Sequence, residues 1–282
     1  MRVKRASKYG FCAGVRAADS KARRFAADGG RGDILGALVH NERVGRELEE
    51  LGLKSVETLD NAKGPTVVFS AHGVPPSAHD HARELGLGVL DTTCTFVIDI
   101  HDEVTRALSE GCHLVFVGDP GHREVVGYTH DLESDAFHIV STMDDTRGVD
   151  WRAYPEIKVI YQTTLTADDF EDFGRVIEGQ NPDTVRADTI CYATKENQDA
   201  ARLLGADPEV DLVLVIGGKD SANTRHLWEI CAQSKPAHLV QGVEDIHPQW
   251  FENVNCVGLT AGASTPDSAI DQIEAFLESL RR

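Results

Sequence analysis

LDTTCTFVIDIHDEV (residues 90–104) and ADTICYATKENQDAARLL (residues 187–204) share a local repeat, Asp-Thr-x-Cys running at once into a segment with helical periodicity. YGFCAGVRAAD (residues 9–19) places a third cysteine at the same kind of junction. Cys12, Cys94 and Cys191 therefore each sit where a strand-loop segment turns into a helix. Backbone N–H groups and the helix dipole at that point lower a thiol's pKa and favour the thiolate, the form that binds metal. Three matched junctions read as a three-thiolate cluster site. Cys112, Cys231 and Cys256 lie elsewhere: before the apolar strand HLVFVG, on a helix with Leu227 and Trp228, and at the head of CVGLTAG. These three read as small buried hydrophobes.

Outward from the cysteines the chain alternates short Val-rich strands with amphipathic helices, the pattern of parallel α/β units. Strands are expected at 34–38, 66–70, 88–90, 113–118, 137–141, 158–163, 211–218, 238–242 and 255–262. Helices are expected at 43–51, 76–85, 96–110, 123–132, 166–178, 193–204, 223–233 and 266–280, besides the one leaving Cys12. The cysteines divide the sequence into thirds of similar content, predicting three small α/β domains at 1–94, 95–190 and 191–282 around a shared centre.

Composition narrows the partners. With 46 acidic against 28 basic residues the net charge is -18, which opposes binding to nucleic acid or to an anionic membrane surface. No apolar run approaches the roughly 20 residues a membrane span needs, and the basic start MRVKRASKYG has no apolar stretch after it. A cytoplasmic location is expected. Six cysteines scattered over 282 residues do not form a disulfide framework, and a reducing compartment would keep them available as ligands.

In α/β sheets functional groups collect where strands end and helices begin. Here those junctions carry imidazoles, hydroxyls, amides and small residues: His40 with Asn41, Ser70 with His72, His122 with Glu124, Gln162 with Thr163, Ser221 with Ala222 and Asn223, and Ser264. Each is also a common helix-capping type. Together they read as a cradle for phosphate oxygens, since helix N-termini already favour anions. The histidines are too dispersed for a zinc signature, with no HExxH and no CxxC pair. Glu124 is the best candidate to move protons, because a buried carboxyl holds a raised pKa. Walker, GxGxxG and GxSxG motifs are absent, which argues against nucleotide and serine-triad chemistry.

Nine ordered blocks now carry a resemblance: GFCAGV, LVHN, FSAHGV, DTTC, GHREV, QTTL, DTICYAT, the Ser221-Ala222-Asn223 segment and TAGASTP. In their order and spacing the chain resembles the 4-hydroxy-3-methylbut-2-enyl diphosphate reductase family, which acts last in the non-mevalonate isoprenoid pathway. The resemblance implies a pseudo-threefold trefoil of three parallel α/β domains around a 4Fe-4S cluster held by Cys12, Cys94 and Cys191, with one iron open. It implies that Glu124 delivers protons and that Thr163 holds the substrate hydroxyl. The diphosphate of the allylic substrate would lie among His40, His72, His122, Ser221, Ala222, Asn223 and Ser264. Electrons would come from ferredoxin or flavodoxin.

Some positions depart from the family's usual pattern. Ala222 stands where a second serine is usual, Thr95 and Asp99 where proline and lysine are frequent, and Ala17 and Asn197 near expected arginines. Lys21, Arg23 and Arg24, on the helix leaving Cys12, form a candidate basic patch for an acidic electron donor. Two alternatives stand beside the reductase. One is a paralogue with the same cluster and a different small substrate, which Ala222 keeps open. The other is an iron-sulfur sensor, which would need neither Glu124 nor Thr163.

Overall fold

The structure is a computed structural model that describes residues 1–280; the last two positions of the third expected domain lie outside the described residues. The chain forms two compact units. One comprises Met1–Arg16, Val39–Arg46 and the segment from Tyr192 onward, the other Ala17–Leu38 and Glu47–Cys191.

The chain opens on strand β1 (Arg2–Arg5) and helix α1 (Ala13–Ala27). A first sheet follows, from β2 (Gly32–Leu35), β3 (Leu53–Val56), β4 (Thr66–Phe69) and β5 (Gly88–Asp91), with helices α2 (Glu42–Glu50) and α3 (Pro76–Glu84) between strands. Helix α4 (Thr95–Ser109) leads to a second sheet of β6 (His113–Val117), β7 (Phe137–Val140), β8 (Ile157–Tyr161) and β9 (Thr184–Arg186), interleaved with α5 (Arg123–Thr129), α6 (Met143–Arg147) and α7 (Ala167–Glu178). After α8 (Tyr192–Ala206) come β10 (Leu212–Ile216), α9 (Ala222–Ala232), β11 (Ala237–Val240), β12 (Cys256–Ala261) and α10 (Asp267–Ser279).

All strand pairs are parallel, and the three sheets share one topology. Their orders are β3-β2-β4-β5, β7-β6-β8-β9 and β11-β10-β12-β1. In each, the first strand lies between the second and third, and a fourth flanks the third. The last sheet takes its fourth strand from the start of the chain, with Arg2 opposite Cys256. Each of the three junction cysteines then follows the fourth strand of a sheet: Cys12 after β1, Cys94 after β5, Cys191 after β9. The α/β class expected from the sequence is present in full.

The inner strands explain why the sheets form. HLVFV of β6, LVLVI of β10 and CVGLTA of β12 are buried at every position, covered on both faces as parallel strands are. Fully burying one such Val, Leu or Ile side chain contributes about 1.5–3 kcal/mol. Three strands fall outside the sequence expectation: β1 (RVKR), β3 (LKSV) and β9 (TVR). All are edge strands with few buried side chains, so their composition carries no strong apolar signal.

Candidate active site

In the first unit, the fourth-strand junction delivers Cys12. Gly10 adopts φ 73, a left-handed turn that a side chain would strain, and the Gly10 and Cys12 N–H groups donate to the Ala261 and Ala263 carbonyls at 3.1 Å each. Cys12 Sγ accepts from the Val15 N–H at 3.4 Å, so the sulfur faces the first turn of α1. The loop carrying His40 is pinned beside it. Ser264 Oγ donates to the His40 carbonyl at 2.9 Å, and a Cβ on Gly218 would stand 2.8 Å from that same oxygen, so only glycine fits there. Ser221 caps α9, its Oγ accepting from the Thr224 N–H at 3.3 Å, and Ala222 is the first residue of that helix. Asn223 is 4% exposed, yet neither its amide oxygen nor its nitrogen has a hydrogen-bond partner. Buried side-chain amides in native proteins are nearly always hydrogen-bonded, so this one is an exception that calls for a polar partner.

In the second unit, the Asp-Thr-x-Cys repeat acquires a physical meaning. Thr92 Oγ1 donates to the Phe69 carbonyl at 2.6 Å, and Thr189 Oγ1 to the Tyr161 carbonyl at 2.7 Å. Each threonine fastens the segment after a fourth strand to the end of the third. The Cys94 N–H donates to the Ala71 carbonyl at 3.1 Å and that of Cys191 to the Thr163 carbonyl at 3.0 Å. Cys94 is the N-cap of α4. Because Ala71 precedes His72, and Thr163 is itself a predicted site residue, the cysteines are tied by their backbones to the junctions expected to meet substrate.

Glu124 and Thr163 form a closed pair. Glu124 is 4% exposed, and Thr163 serves both its oxygens: Oγ1 donates to Oε1 at 2.7 Å and the backbone N–H to Oε2 at 3.0 Å. Burial raises the Glu124 pKa, and the two Thr163 hydrogen bonds oppose the rise. His122 caps α5, its Nδ1 accepting from the Glu124 N–H at 3.3 Å, which assigns the proton to Nε2. Burial, offset by Asp119 and aided by Arg123, lowers its pKa to about 4, so at neutral pH it is a neutral donor. The rings of His72 and His122 meet edge to face with centroids 6.3 Å apart.

The donor set suits an iron-sulfur group. None of the six cysteines forms a disulfide, and Cys12, Cys94 and Cys191 are only half-buried. The other three are held as thiols: burial pushes Cys231 up to about 12 and also raises Cys112 and Cys256. Among the described residues no three His, Cys, Asp or Glu side chains gather as ligands of one metal ion. A cluster would be held differently from a single ion, with each of the three cysteines on a different iron.

The α1 patch is weaker than its sequence suggests. Arg23 is half-buried and pairs with Asp19 at 2.9 Å and Glu47 at 2.6 Å, whereas Lys21, which donates to the Asp91 carbonyl, and Arg24 are both exposed. Thr95, Asp99 and Ala17 are solvent-exposed, whereas Asn197 is buried on α8. Sequence inspection did not single out Tyr128, although its position one turn after Glu124 marks the same face of α5. Among the described residues no helix is long and apolar enough to cross a membrane.

A parallel α/β protein with cysteines at three equivalent strand-to-helix junctions, and a buried acid joined to a hydroxyl, defines a class of cluster-dependent oxidoreductase. The model of the LytB protein family matches residues 3–278, and the chain belongs to that family. Its relatives include the 4-hydroxy-3-methylbut-2-enyl diphosphate reductase of Aromatoleum aromaticum, 37% identical over 98% of this chain and 89% of that one. The enzyme of the same name from Dehalococcoides mccartyi is 36% identical over 99% of both chains. Among solved structures, the E-1-hydroxy-2-methyl-but-2-enyl-4-diphosphate reductase of Plasmodium falciparum superposes with a TM-score of 0.91 at 27% identity, covering 98% of this chain and 87% of that one. A second, titled as the terminal enzyme of the non-mevalonate pathway, gives 0.72 at 31% identity, with 99% and 100% covered.

Proposed function

We infer that this chain reduces 4-hydroxy-3-methylbut-2-enyl diphosphate to isopentenyl and dimethylallyl diphosphates, the terminal step of the non-mevalonate pathway. The observation that carries the reading is the buried Glu124–Thr163 pair, whose threonine carbonyl holds the Cys191 backbone. Cys12, Cys94 and Cys191 would hold a 4Fe-4S cluster, which when bound supplies electrons and an iron with an open position, a Lewis acid for an alcohol oxygen.

The residues divide the remaining work. The Thr163 hydroxyl, fixed by Glu124, orients the substrate alcohol and passes it a proton. Glu124, whose pKa burial raises against the two Thr163 hydrogen bonds, is the proton's source. Two electrons and two protons then balance the loss of water and the protonation of the allylic carbon skeleton. The bare Asn223 amide, with Ser221, Ser264, Ala222, His40, His72 and the Nε2 donor of His122, receives the diphosphate. Neutral imidazoles, hydroxyls and amides bind it by directed hydrogen bonds rather than by charge. Ferredoxin or flavodoxin is the proposed electron donor, with Arg24 and Lys21 of α1 on its docking surface, and the cytoplasm the proposed compartment.

The test is anaerobic turnover with a reduced viologen, using protein whose iron and sulfide have been reconstituted and counted. Both products should form, disappear in Cys94→Ser together with the cluster, and fall steeply in Glu124→Gln with the cluster intact. A fully loaded protein that leaves this substrate untouched would overturn the assignment in favour of a different small substrate.

A further inference from the structure

Arg123 stands between His122 and Glu124 at the start of α5. Its guanidinium rests on the bend that follows β2, where a Cβ on Gly36 would lie 1.6 Å from Nη1 and 2.7 Å from Nη2. Gly36 has φ 72, so its backbone and its missing side chain together admit the cation. The same bend leads to Leu38, whose carbonyl accepts the Ala71 N–H at 3.1 Å, one residue before His72. The His72 ring in turn meets that of His122, centroids 6.3 Å apart. Arg123, the Gly36–Leu38 bend, His72 and His122 therefore form a closed circuit of neighbours. The Arg123 charge is felt at the His122 ring, whose protonation it disfavours.

This guanidinium has no counter-ion. Among the described residues it forms no ion pair and no hydrogen bond, whereas Arg5, Arg106, Arg152 and Arg186 each pair with an acid. Burial of the guanidinium lowers its pKa with no acid opposing the change, yet the residue as a whole is exposed, so an anion can reach it. In a chain with 46 acidic and 28 basic residues, a cation lodged against the fold without an acid beside it is an exception.

Charge is what the neighbouring donors lack. The groups assigned to the diphosphate are imidazoles, hydroxyls and amides, with no lysine or arginine among them. Directed hydrogen bonds fix where phosphate oxygens lie, but they do little to offset the field of a chain at -18, which repels a multiply charged anion.

We propose that Arg123 is a specificity-determining residue of the phosphate site, its guanidinium supplying the positive charge that the neutral donors lack and so favouring a diphosphate over less charged ligands. This rests on the diphosphate reading above. The effect acts through the field of one cation, so salt screens it: the Debye length falls from about 30 Å at 0.01 M to about 3 Å at 1 M.

The experiment is anaerobic titration calorimetry of the reconstituted full-length protein with inorganic diphosphate and, separately, inorganic phosphate, at about 0.01 M and about 1 M salt. Arg123→Gln should weaken diphosphate binding about tenfold at low salt and no more than about twofold at high salt, with a smaller low-salt loss for phosphate. Arg123→Lys, which keeps the charge, should retain most of the wild-type affinity and its salt dependence. An Arg123→Gln variant that binds diphosphate as the wild type does at low salt would overturn the inference. So would a loss of equal size at both salt concentrations, or an equal loss in Arg123→Lys, because either result assigns Arg123 to bracing the Gly36 bend. Wild-type protein that binds diphosphate without turning over the allylic substrate would refute the reductase reading alone, and the Arg123 comparison would still decide this inference. Wild-type protein that binds no diphosphate would refute both.

Discussion

Replacing Thr163 with valine isolates the hydroxyl that controls Glu124. Valine matches threonine in shape and keeps the backbone N–H on Oε2, so only the 2.7 Å bond to Oε1 is lost. Burial raises the Glu124 pKa and the Thr163 hydroxyl opposes it; without the hydroxyl, burial acts with less resistance and the pKa climbs. A hydrogen bond to a charged group contributes about 1.5–3 kcal/mol, and that is the stabilisation of the carboxylate form that the valine removes. If protonated Glu124 is the proton source, activity declines as pH rises through its pKa. That alkaline limb should move upward in Thr163→Val, even as the rate falls from poorer orientation of the alcohol. Initial rates measured anaerobically with reduced viologen across neutral and alkaline pH give the profile, and Glu124→Gln should abolish the limb altogether. A Thr163→Val enzyme that is slower but has its limb unmoved would show that Thr163 does not act through Glu124.

Asn223→Leu should raise the apparent KM for substrate while leaving the melting temperature of the unliganded protein unchanged or higher, since a buried unsatisfied polar group is destabilising by about 1–3 kcal/mol; a lower melting temperature would show that the amide has a structural partner. His113 is 7% exposed, bonds His138 through Nε2 at 2.7 Å, and has its pKa lowered to about 4 by burial first and His138 second. A base depressed on folding stabilises the protein above its unfolded pKa of about 6.5 and loses that contribution as pH falls toward 4, so urea unfolding across this window should show at most about 3 kcal/mol of acid loss, reduced in His113→Gln. Gly36 has φ 72, and a Cβ there would stand 1.6 Å from Arg123 Nη1. Gly36→Ala should therefore lose about 1–2 kcal/mol to backbone strain plus the displacement of that guanidinium, and Arg123→Ala in the same chain should restore only the second part.

That Cys12, Cys94, Cys191, Glu124 and Thr163 stand at strand-to-helix junctions was legible from the apolar strands before them and the helical periodicity after them, and the Asp-Thr-x-Cys repeat announced two junctions directly. The inner strands were legible from their unbroken apolar runs. The edge strands β1 and β9 were not, although they deliver Cys12 and Cys191, because RVKR and TVR bury too little to leave a hydrophobic pattern. Nor could the sequence show that the third sheet borrows its outer strand from the start of the chain. The state of Tyr128 and Asn223 was hidden for a different reason: an unsatisfied polar atom is a property of three-dimensional neighbours, and composition carries no trace of it. The pairing of Arg23 with Asp19 and Glu47 was hidden too, since it depends on where α1 and α2 stand.

The pairing of Arg2 with Cys256 also sets an order of events during biosynthesis. The sheets of β2–β5 and β6–β9 are each built from one continuous stretch and can close while the ribosome is still at work. The strand that feeds Cys12 must wait until β12 has emerged, so a nascent chain can finish the backbone surroundings of Cys94 and Cys191 before those of Cys12. With the proposed ligand set, iron-sulfur delivery would be deferred to a nearly complete polypeptide, and products of premature termination would leave the ribosome without a finished third ligand site.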